Sequence, residues 1–132
     1  MFSFETKIRV RYAETDKMGY VYYGNYATYF EVARVEALRS LWIHYKKMED
    51  DGIIMPVYSM DIQFKRAAKY DDLIEIKVTM VGVPALKCSF EYEVFNQNQE
   101  LLCTSQMTLF FARKSDLRPI RLPKKYLEIF TL

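Results

Sequence analysis

The sequence predicts an α+β fold in which one long apolar helix packs against an antiparallel sheet of about five strands. Apolar and polar residues alternate with a period of two in five segments, which is typical of half-buried strands. Between the first and second of these segments, the apolar residues recur every three or four positions over the length of one long helix. A sheet with a single helix on one face is a layered α+β architecture.

Length and composition narrow the class of protein. The chain has 132 residues, 51% of them hydrophobic, with a formal net charge of +2. We therefore predict one ordered domain over residues 1–132, with no nucleic-acid partner. There is no apolar run of about 18 residues, so we expect no transmembrane segment. The N-terminus lacks the pattern of a signal peptide.

The cysteine and histidine content adds to this. Without a signal peptide we expect a cytoplasmic protein, in which Cys88 and Cys103 are reduced thiols in the core. Two Cys and one His make a structural zinc site improbable, so we expect no metal.

The first strand and the long helix can be placed from periodicity. The strand is predicted over residues 4–12, with one face formed by Phe4, Thr6, Ile8, Val10 and Tyr12. The helix is predicted from about Asn25, with an apolar stripe formed by Tyr26, Phe30, Ala33, Ala37 and Leu41 and widened by Tyr29, Val32 and Leu38. We expect a break near residues 40–43 and a short second helix over residues 44–49.

Four further strands are predicted after Pro56, over residues 58–65, 74–80, 86–94 and 103–111. Turn-forming sequences separate them at residues 70–72, 82–84 and 96–99. The last connections are short enough for an antiparallel meander. Residues 124–130 are predicted to form a final helical turn.

The stretch from residue 12 to residue 26 joins the first strand to the long helix. It carries the carboxylate of Asp16, followed by Gly19 and Gly24, with Asn25 as the predicted N-cap. A helix N-terminus offers unpaired N–H groups and partial positive charge. A carboxylate just upstream could therefore share a site with donors suited to a developing oxyanion. Judged on residue types alone, the same pattern also fits ordinary turn chemistry.

The spacing of several residues adds a resemblance to a known family. These residues are Arg11, Tyr12, Thr15, Asp16, Gly19, Val21, Tyr23, Asn25, Tyr26, Tyr29, Phe30, Glu31, Ala33 and Arg34. Together with the topology they resemble the hotdog-fold acyl-CoA thioesterases, most closely the 4-hydroxybenzoyl-CoA thioesterase and YbgC-like branch. Residues 65–72 match the family's basic turn, although Ala67 stands where the family usually has Pro. The resemblance covers nearly the whole chain.

The resemblance implies a fold and an assembly. It implies a sheet wrapped around the central helix, in a homodimer or homotetramer whose sheets join edge to edge and whose active sites lie at the subunit interface. The implied substrate is an acyl- or aroyl-CoA, hydrolysed to the free acid and coenzyme A. Coenzyme A is then part of the substrate and no cofactor is implied, while an acyl carrier protein is an alternative carrier of the acyl group.

The resemblance also implies roles for individual residues. Asp16 becomes the catalytic carboxylate, acting either as nucleophile or as general base, and amides around Tyr23 and Gly24 hold the oxyanion. Tyr23 stands where some YbgC-like proteins carry His, so no imidazole is available there. Gly19 and Tyr26 are expected at the substrate site. The cations expected to contact coenzyme A phosphates are Lys65, Arg66, Lys69 and Arg113, although each is also explained as a solvated surface charge.

Alternative interpretations remain for several features. Glu31 is a second candidate carboxylate, but it also fits an i,i+3 ion pair with Arg34. The tyrosines of the stretch fit either a substrate pocket or core and interface packing: Tyr20, Tyr22, Tyr23, Tyr26 and Tyr29.

Two other functions compete with hydrolysis. A hotdog dehydratase would need a catalytic His, whereas the only His, His44, lies beyond the helix and is expected at the surface. A non-catalytic protein that binds acyl-CoA or an acyl carrier is the other alternative. The joint presence of Asp16, Gly19 and Tyr23 argues for catalysis.

Overall fold

The computed structural model describes residues 2–130 as a five-stranded antiparallel sheet with one long helix against it. The strands are β1 (Ser3–Arg9), β2 (Ile53–Ile54), β3 (Val57–Phe64), β4 (Leu73–Val81), β5 (Lys87–Phe95), β6 (Leu101–Phe110) and β7 (Ala112–Arg113). The helices are α1 (Asn25–Ser40), α2 (Tyr45–Asp50) and α3 (Lys124–Phe130). The predicted α+β class is confirmed. None of these helices has the length and apolarity that crossing a bilayer requires.

The strand order in the main sheet is β1-β4-β5-β6-β3. The meander predicted for the last strands is present as β4, β5 and β6, while β1 pairs with β4 and β3 pairs with β6. The strands β1 and β3 are therefore the two edges of the sheet. A separate ribbon joins β2 to β7. It was not predicted, because two residues per strand are too few to show an alternating pattern.

The helix α1 buries its apolar stripe against the sheet. Its buried apolar residues are Tyr26, Tyr29, Phe30, Ala33, Ala37 and Leu38, and the ring of Phe30 lies 4.5 Å from that of Tyr92 on β5. Cys88 and Cys103 are buried free thiols, as predicted. Val32 was predicted to widen the stripe, but it is exposed on the face that points away from the sheet.

Arg34 corrects a second prediction about this helix. It follows Phe30 by one helical turn and therefore lies on the buried face, not on the polar face. Its guanidinium donates to the hydroxyls of Tyr45 and Tyr92 at 2.8 and 3.2 Å and to the sulfur of Met107 at 3.1 Å. No carboxylate within residues 2–130 forms an ion pair with it, so the predicted pairing with Glu31 is wrong. Glu31 is exposed.

The first strand ends three residues earlier than predicted. The chain leaves β1 through buried Val10 and enters a short 3-10 turn over Tyr12–Glu14. Tyr12 was predicted on the buried face, but it is exposed and lies against the ring of Tyr70 at 5.6 Å. The turn forms because the Glu14 carboxylate accepts hydrogen bonds from the backbone and side chain of Arg11, at 2.8 and 3.1 Å.

Glu14 also ties this turn to the helix. Its buried carboxylate accepts a hydrogen bond from the Tyr29 hydroxyl at 3.0 Å. Its backbone carbonyl accepts from the Tyr22 amide at 2.9 Å and from the Asn25 side chain at 2.8 Å. The prediction of Asn25 as N-cap is therefore wrong: Gly24 occupies that position, and the Asn25 amide group is used to hold the preceding turn.

The environment of Glu14 favours its ionised form. Burial alone would raise the pKa of the carboxyl, but the hydrogen bonds from Arg11 and Tyr29 outweigh burial and hold the pKa below its ordinary value. The same contact and the burial of the ring raise the pKa of Tyr29. Tyr29 therefore remains a hydrogen-bond donor at neutral pH.

We expect Glu14→Gln to lower the free energy of unfolding at pH 7 by about 1.5–3 kcal/mol, the range for hydrogen bonds to a charged group. A carboxyl whose pKa is lowered by folding stabilises the protein above its unfolded-state pKa, and this contribution is lost as the pH falls through the folded-state pKa. The difference in the free energy of unfolding between the parent and the variant should therefore become smaller from pH 7 to about pH 3, as measured by urea unfolding. Glu5→Gln, on the exposed face of β1, is the matched control. A gap that is constant with pH would contradict the assignment.

Candidate active site

The loop before α1 is folded around the side chain of Asp16. One carboxylate oxygen, Oδ1, accepts hydrogen bonds from the amides of Met18 and Tyr20 at 2.9 and 3.2 Å. The Asp16 carbonyl accepts from the Gly19 amide at 3.0 Å, and Gly19 has a φ of +81°, which favours glycine. Within residues 2–130 no group donates to the second oxygen, Oδ2. The loop thus fixes the carboxylate and leaves one oxygen available.

The loop is held against the segment that follows β3. The amide of Val21 donates to the carbonyl of buried Ala68 at 2.8 Å, and Tyr20 forms a bridge with Lys69. The amides of Lys65 and Arg66 both donate to the carbonyl of Leu102. These bonds place the Asp16 loop and the segment after β3, which are about 50 residues apart in the sequence, on opposite sides of one pocket.

The pocket between them has a volume of about 310 Å³. Its lining combines one carboxylate, several aromatic rings and two cations: Asp16, Met18, Tyr20, Val21, Tyr23, Tyr26, Phe64, Lys65, Arg66 and Ala67. The predicted residues Asp16, Tyr23, Tyr26, Lys65 and Arg66 therefore meet in one place. Burial raises the pKa of Tyr26 to about 12, so this phenol stays neutral at physiological pH.

The start of α1 supplies hydrogen-bond donors beside this pocket. The amides of Asn25 and Tyr26 are already bonded to the carbonyls of Tyr22 and Tyr23. In contrast, the amides of Tyr23 and Gly24 have no acceptor among the described residues. A methyl group on Gly24 would come within 2.8 Å of the Tyr22 ring, which stacks 4.6 Å from the ring of Tyr23. Glycine at this position keeps both rings in place next to the free amides.

The two remaining predicted cations lie elsewhere. Lys69 lines a neighbouring polar cleft of about 420 Å³, which shares Tyr20, Arg66 and Ala67 with the Asp16 pocket. Arg113 lies on β7, where its guanidinium pairs with Asp116 at 3.2 Å. Within a single chain, Arg113 is therefore not part of either cleft. Arg66 forms an exposed ion pair with Glu100 at 3.1 Å, whereas Lys65 has no ion-pair partner in residues 2–130.

The tyrosines of the loop divide between the two predicted roles. Tyr20 and Tyr23 line the pocket, Tyr29 is in the core, and Tyr26 does both. Tyr22 is largely exposed and stacks only on Tyr23. His44 is exposed, as expected. No group of three or more His, Cys, Asp or Glu side chains within residues 2–130 is arranged to hold a metal ion.

Sequence reasoning missed the residues that position the site rather than line it. Glu14 lies within the quoted motif, but its burial was not predicted, because a Glu two residues before an Asp gives no sign of which carboxylate faces the core. The only available signal was its spacing of three from Arg11, which places the two residues one turn apart.

Comparison with known proteins assigns the chain to a family. The thioesterase superfamily profile 4HBT matches residues 18–103. A solved structure described as a DHNA-CoA thioesterase from Staphylococcus aureus is 36% identical, with a TM-score of 0.95 over 99% of this chain and 90% of that chain. The Escherichia coli acyl-CoA thioester hydrolase YbgC is 25% identical over 127 residues, 96% of this chain and 95% of the relative.

A relative from Bacillus subtilis, YneP, whose name assigns it provisionally to the acyl-CoA thioesterases, is 30% identical over 120 residues, 91% of this chain and 87% of the relative. These matches agree with the strand order and the sheet-covered helix described above. The chain belongs to the 4HBT thioesterase superfamily, has its hotdog fold and is a thioester hydrolase.

Proposed function

We propose that the protein hydrolyses an acyl- or aroyl-CoA to the free acid and coenzyme A in the pocket beside Asp16. One observation supports this proposal: Asp16, with one carboxylate oxygen available, lines the same pocket as Tyr23, Lys65 and Arg66, and the amides of Tyr23 and Gly24 are unbonded within residues 2–130. The names of the Staphylococcus aureus and Escherichia coli relatives support coenzyme A as the thiol part of the substrate.

Two balanced routes are open to Asp16. As a nucleophile, its carboxylate attacks the thioester carbonyl, the C–S bond breaks, coenzyme A leaves as the thiol after protonation, and water then hydrolyses the mixed anhydride. As a general base, it takes a proton from water while that water attacks the same carbon, and the C–S bond then breaks as the proton passes to the leaving sulfur, giving the acid and coenzyme A. In both routes, negative charge develops on the carbonyl oxygen. In this proposal, the amides of Tyr23 and Gly24 donate hydrogen bonds that stabilise this charge.

The lining favours an aromatic or a short acyl group. Four aromatic residues, Tyr20, Tyr23, Tyr26 and Phe64, line the same pocket as the Asp16 carboxylate. The volume of about 310 Å³ is at the small end of ligand pockets. An acyl carrier protein would present the same thioester on the same kind of arm, so it is the alternative thiol carrier for this site. The free thiols of Cys88 and Cys103 support a reducing compartment such as the cytoplasm.

The strand β3 supports a homodimer or homotetramer. It is an edge strand of eight residues, yet it exposes Val57, Tyr58, Met60 and Phe64. A long apolar edge is a template for pairing with another strand. Phe64 belongs both to this edge and to the Asp16 pocket. A second copy paired at β3 would therefore also cover one side of the pocket.

Substitution of the two candidate carboxylates tests the proposed chemistry. We expect Asp16→Asn to lower kcat/KM for aroyl- or acyl-CoA hydrolysis by more than about a hundredfold, because the reacting oxygen is lost. Glu31→Gln should stay close to the parent, since Glu31 is exposed on α1 and does not line the pocket. Hydrolysis is followed over a panel of CoA esters. A large loss in Glu31→Gln with Asp16→Asn near the parent would reverse the assignment.

Substitution of the rim cations tests coenzyme A binding. We expect Lys65→Ala and Arg66→Ala to raise KM and leave kcat nearly unchanged, because the nucleotide phosphates do not change during the reaction. The KM of the parent should rise with salt, since exposed charges are screened over about 8 Å at physiological ionic strength.

Two comparisons make this test specific. Lys7→Ala, an exposed cation on β1, should leave KM unchanged. An N-acetylcysteamine ester lacks the nucleotide, so its hydrolysis should not respond to the loss of Lys65 or Arg66. Equal slowing of the truncated and full substrates would show that these residues are structural.

The proposed assembly is tested at the β3 edge. We expect the parent to sediment as a dimer or tetramer at micromolar concentration, and Met60→Lys to shift it towards monomer with loss of activity, because a charge is placed within the apolar edge. Val83→Lys, at an exposed position outside the sheet, should change neither property. A fully active parent species of 15.8 kDa would refute the assembly.

A further inference from the structure

Two large apolar residues, Trp42 and Leu117, combine a disfavoured backbone with solvent exposure. Their φ angles are 63° and 61°, and their side chains are 84% and 64% exposed. Left-handed backbone favours glycine, since any side chain there crowds the following carbonyl. Neither residue gains burial in return within residues 2–130. Their side chains therefore contribute little to the folding of this chain.

Trp42 occupies the glycine position of a helix-ending motif. The amide of Ile43 donates to the carbonyl of Leu38, and the amide of Trp42 donates to that of Arg39, both at 2.9 Å. This is the Schellman arrangement, in which Ile43 packs back on Leu38 and the residue between needs a left-handed backbone. Glycine is the usual residue there, and nothing in the motif requires an indole ring.

Leu117 lies at the tip of the turn that follows β7. Its amide donates to the carbonyl of Arg113 at 2.7 Å, and the Asp116 carboxylate accepts from the side chain of Arg113 and the amide of Arg118 at 3.2 and 3.1 Å. The turn is thus closed by polar contacts alone. The Leu117 side chain projects from it.

Both residues are at the same end of the molecule. Trp42 lies three residues before α2, and the Leu117 turn is tied to the residue after the C-cap of α2 by a bond from the Lys114 amide to the Gly52 carbonyl at 2.8 Å. This end is remote from Asp16, because the 16-residue helix α1, about 24 Å long, separates Trp42 from the loop that holds Asp16. Changes at Trp42 can therefore be separated from catalysis.

This end of the molecule is also basic. Residues 112–130 contain six Lys and Arg against two Asp and Glu, and residues 42–54 contain two Lys against three Asp and Glu, so the two segments together have a formal net charge of +3. At this end of the molecule, five exposed cations form no ion pair within residues 2–130: Lys46, Lys47, Lys114, Arg121 and Lys124. The surface therefore complements a negatively charged partner.

We propose that this end docks on an anionic lipid bilayer, with Trp42 and Leu117 entering the headgroup region and the surrounding cations contacting lipid phosphates. Tryptophan is favoured at bilayer interfaces, because its ring is apolar and its N–H is polar. Two separate apolar tips among cations suit such a surface. A stable protein–protein interface would instead have a contiguous apolar centre, which two separate side chains do not form.

The chain offers a direct probe, since Trp42 is its single tryptophan. With vesicles of phosphatidylcholine and phosphatidylglycerol, we expect the tryptophan emission to shift to the blue and the protein to sediment with the vesicles. Vesicles of phosphatidylcholine alone should give neither effect, and high salt should reverse both. The double variant Lys46→Gln/Lys47→Gln should bind about thirtyfold more weakly, since each cation near an anionic bilayer contributes about a factor of five.

Glycine variants separate docking from folding. Trp42→Gly and Leu117→Gly should keep or raise the melting temperature, because glycine is preferred at positive φ. They should also keep the hydrolysis rate, yet each should lose at least about tenfold in vesicle binding. Tyr70→Ala, which removes an exposed aromatic ring near the other end of α1, should bind vesicles like the parent.

Three results would overturn the proposal. The first is equal binding to neutral and anionic vesicles, or binding to neither. The second is a loss in Tyr70→Ala as large as that in Trp42→Gly. The third is an emission that is already blue-shifted without vesicles and moves to the red on dilution, which would mean that a second copy of the chain covers Trp42.

Discussion

The buried carboxylate of Glu14 is the contact on which the arrangement of the site depends. It bonds to Arg11 at the exit of β1 and to Tyr29 on the buried face of α1, while its own carbonyl holds Tyr22 and Asn25. Strand exit, loop and helix start are thereby fixed to one residue. A buried carboxylate is costly unless it is fully bonded, and here each bond also sets the path of the chain.

The two neighbouring acidic residues, Glu14 and Asp16, have different environments in this loop. Glu14 faces inward, and its carboxylate is hydrogen-bonded to Arg11 and Tyr29. Asp16 lies two residues later in the loop, and only one of its carboxylate oxygens accepts the hydrogen bonds that close its turn. The second carboxylate oxygen of Asp16 accepts no hydrogen bond within residues 2–130 and therefore stays available. The pocket is completed by the segment after β3, which reaches the loop through the bond between Val21 and Ala68. The position of the candidate site is thus a consequence of sheet topology.

The sheet leaves its outermost strand incompletely covered. In β4 and β5 alternate residues are buried against α1, whereas β3 is exposed along almost its whole length despite its apolar residues. Phe64 links this edge to the Asp16 pocket. In the proposed dimer, the same strand would bear on both assembly and substrate access, and the proposed site would lie at the edge of the sheet. At the opposite end of α1, the exposed Trp42 is a separate feature with no part in the pocket.

The sequence by itself determined the elements and the family. The period of two fixes which residues of β4, β5 and β6 face the helix, and the period near 3.6 fixes the stripe on α1, because both follow from local backbone geometry. The resemblance of residues 11–34 to the hotdog-fold thioesterases indicated the family, and the comparisons confirmed it. The roles given to Asp16, Tyr23 and Gly24 are what that resemblance implies and stay predictions.

Only the tertiary structure decided which polar residues are internal and which distant residues meet. The sequence did not predict that Glu14 and Arg34 are internal, but the fold buries both and satisfies them through Tyr29, Tyr45 and Tyr92. Lys65 and Arg66 meet the Asp16 loop, while Arg113 does not. These outcomes depend on contacts between residues far apart in the chain, which no local period encodes.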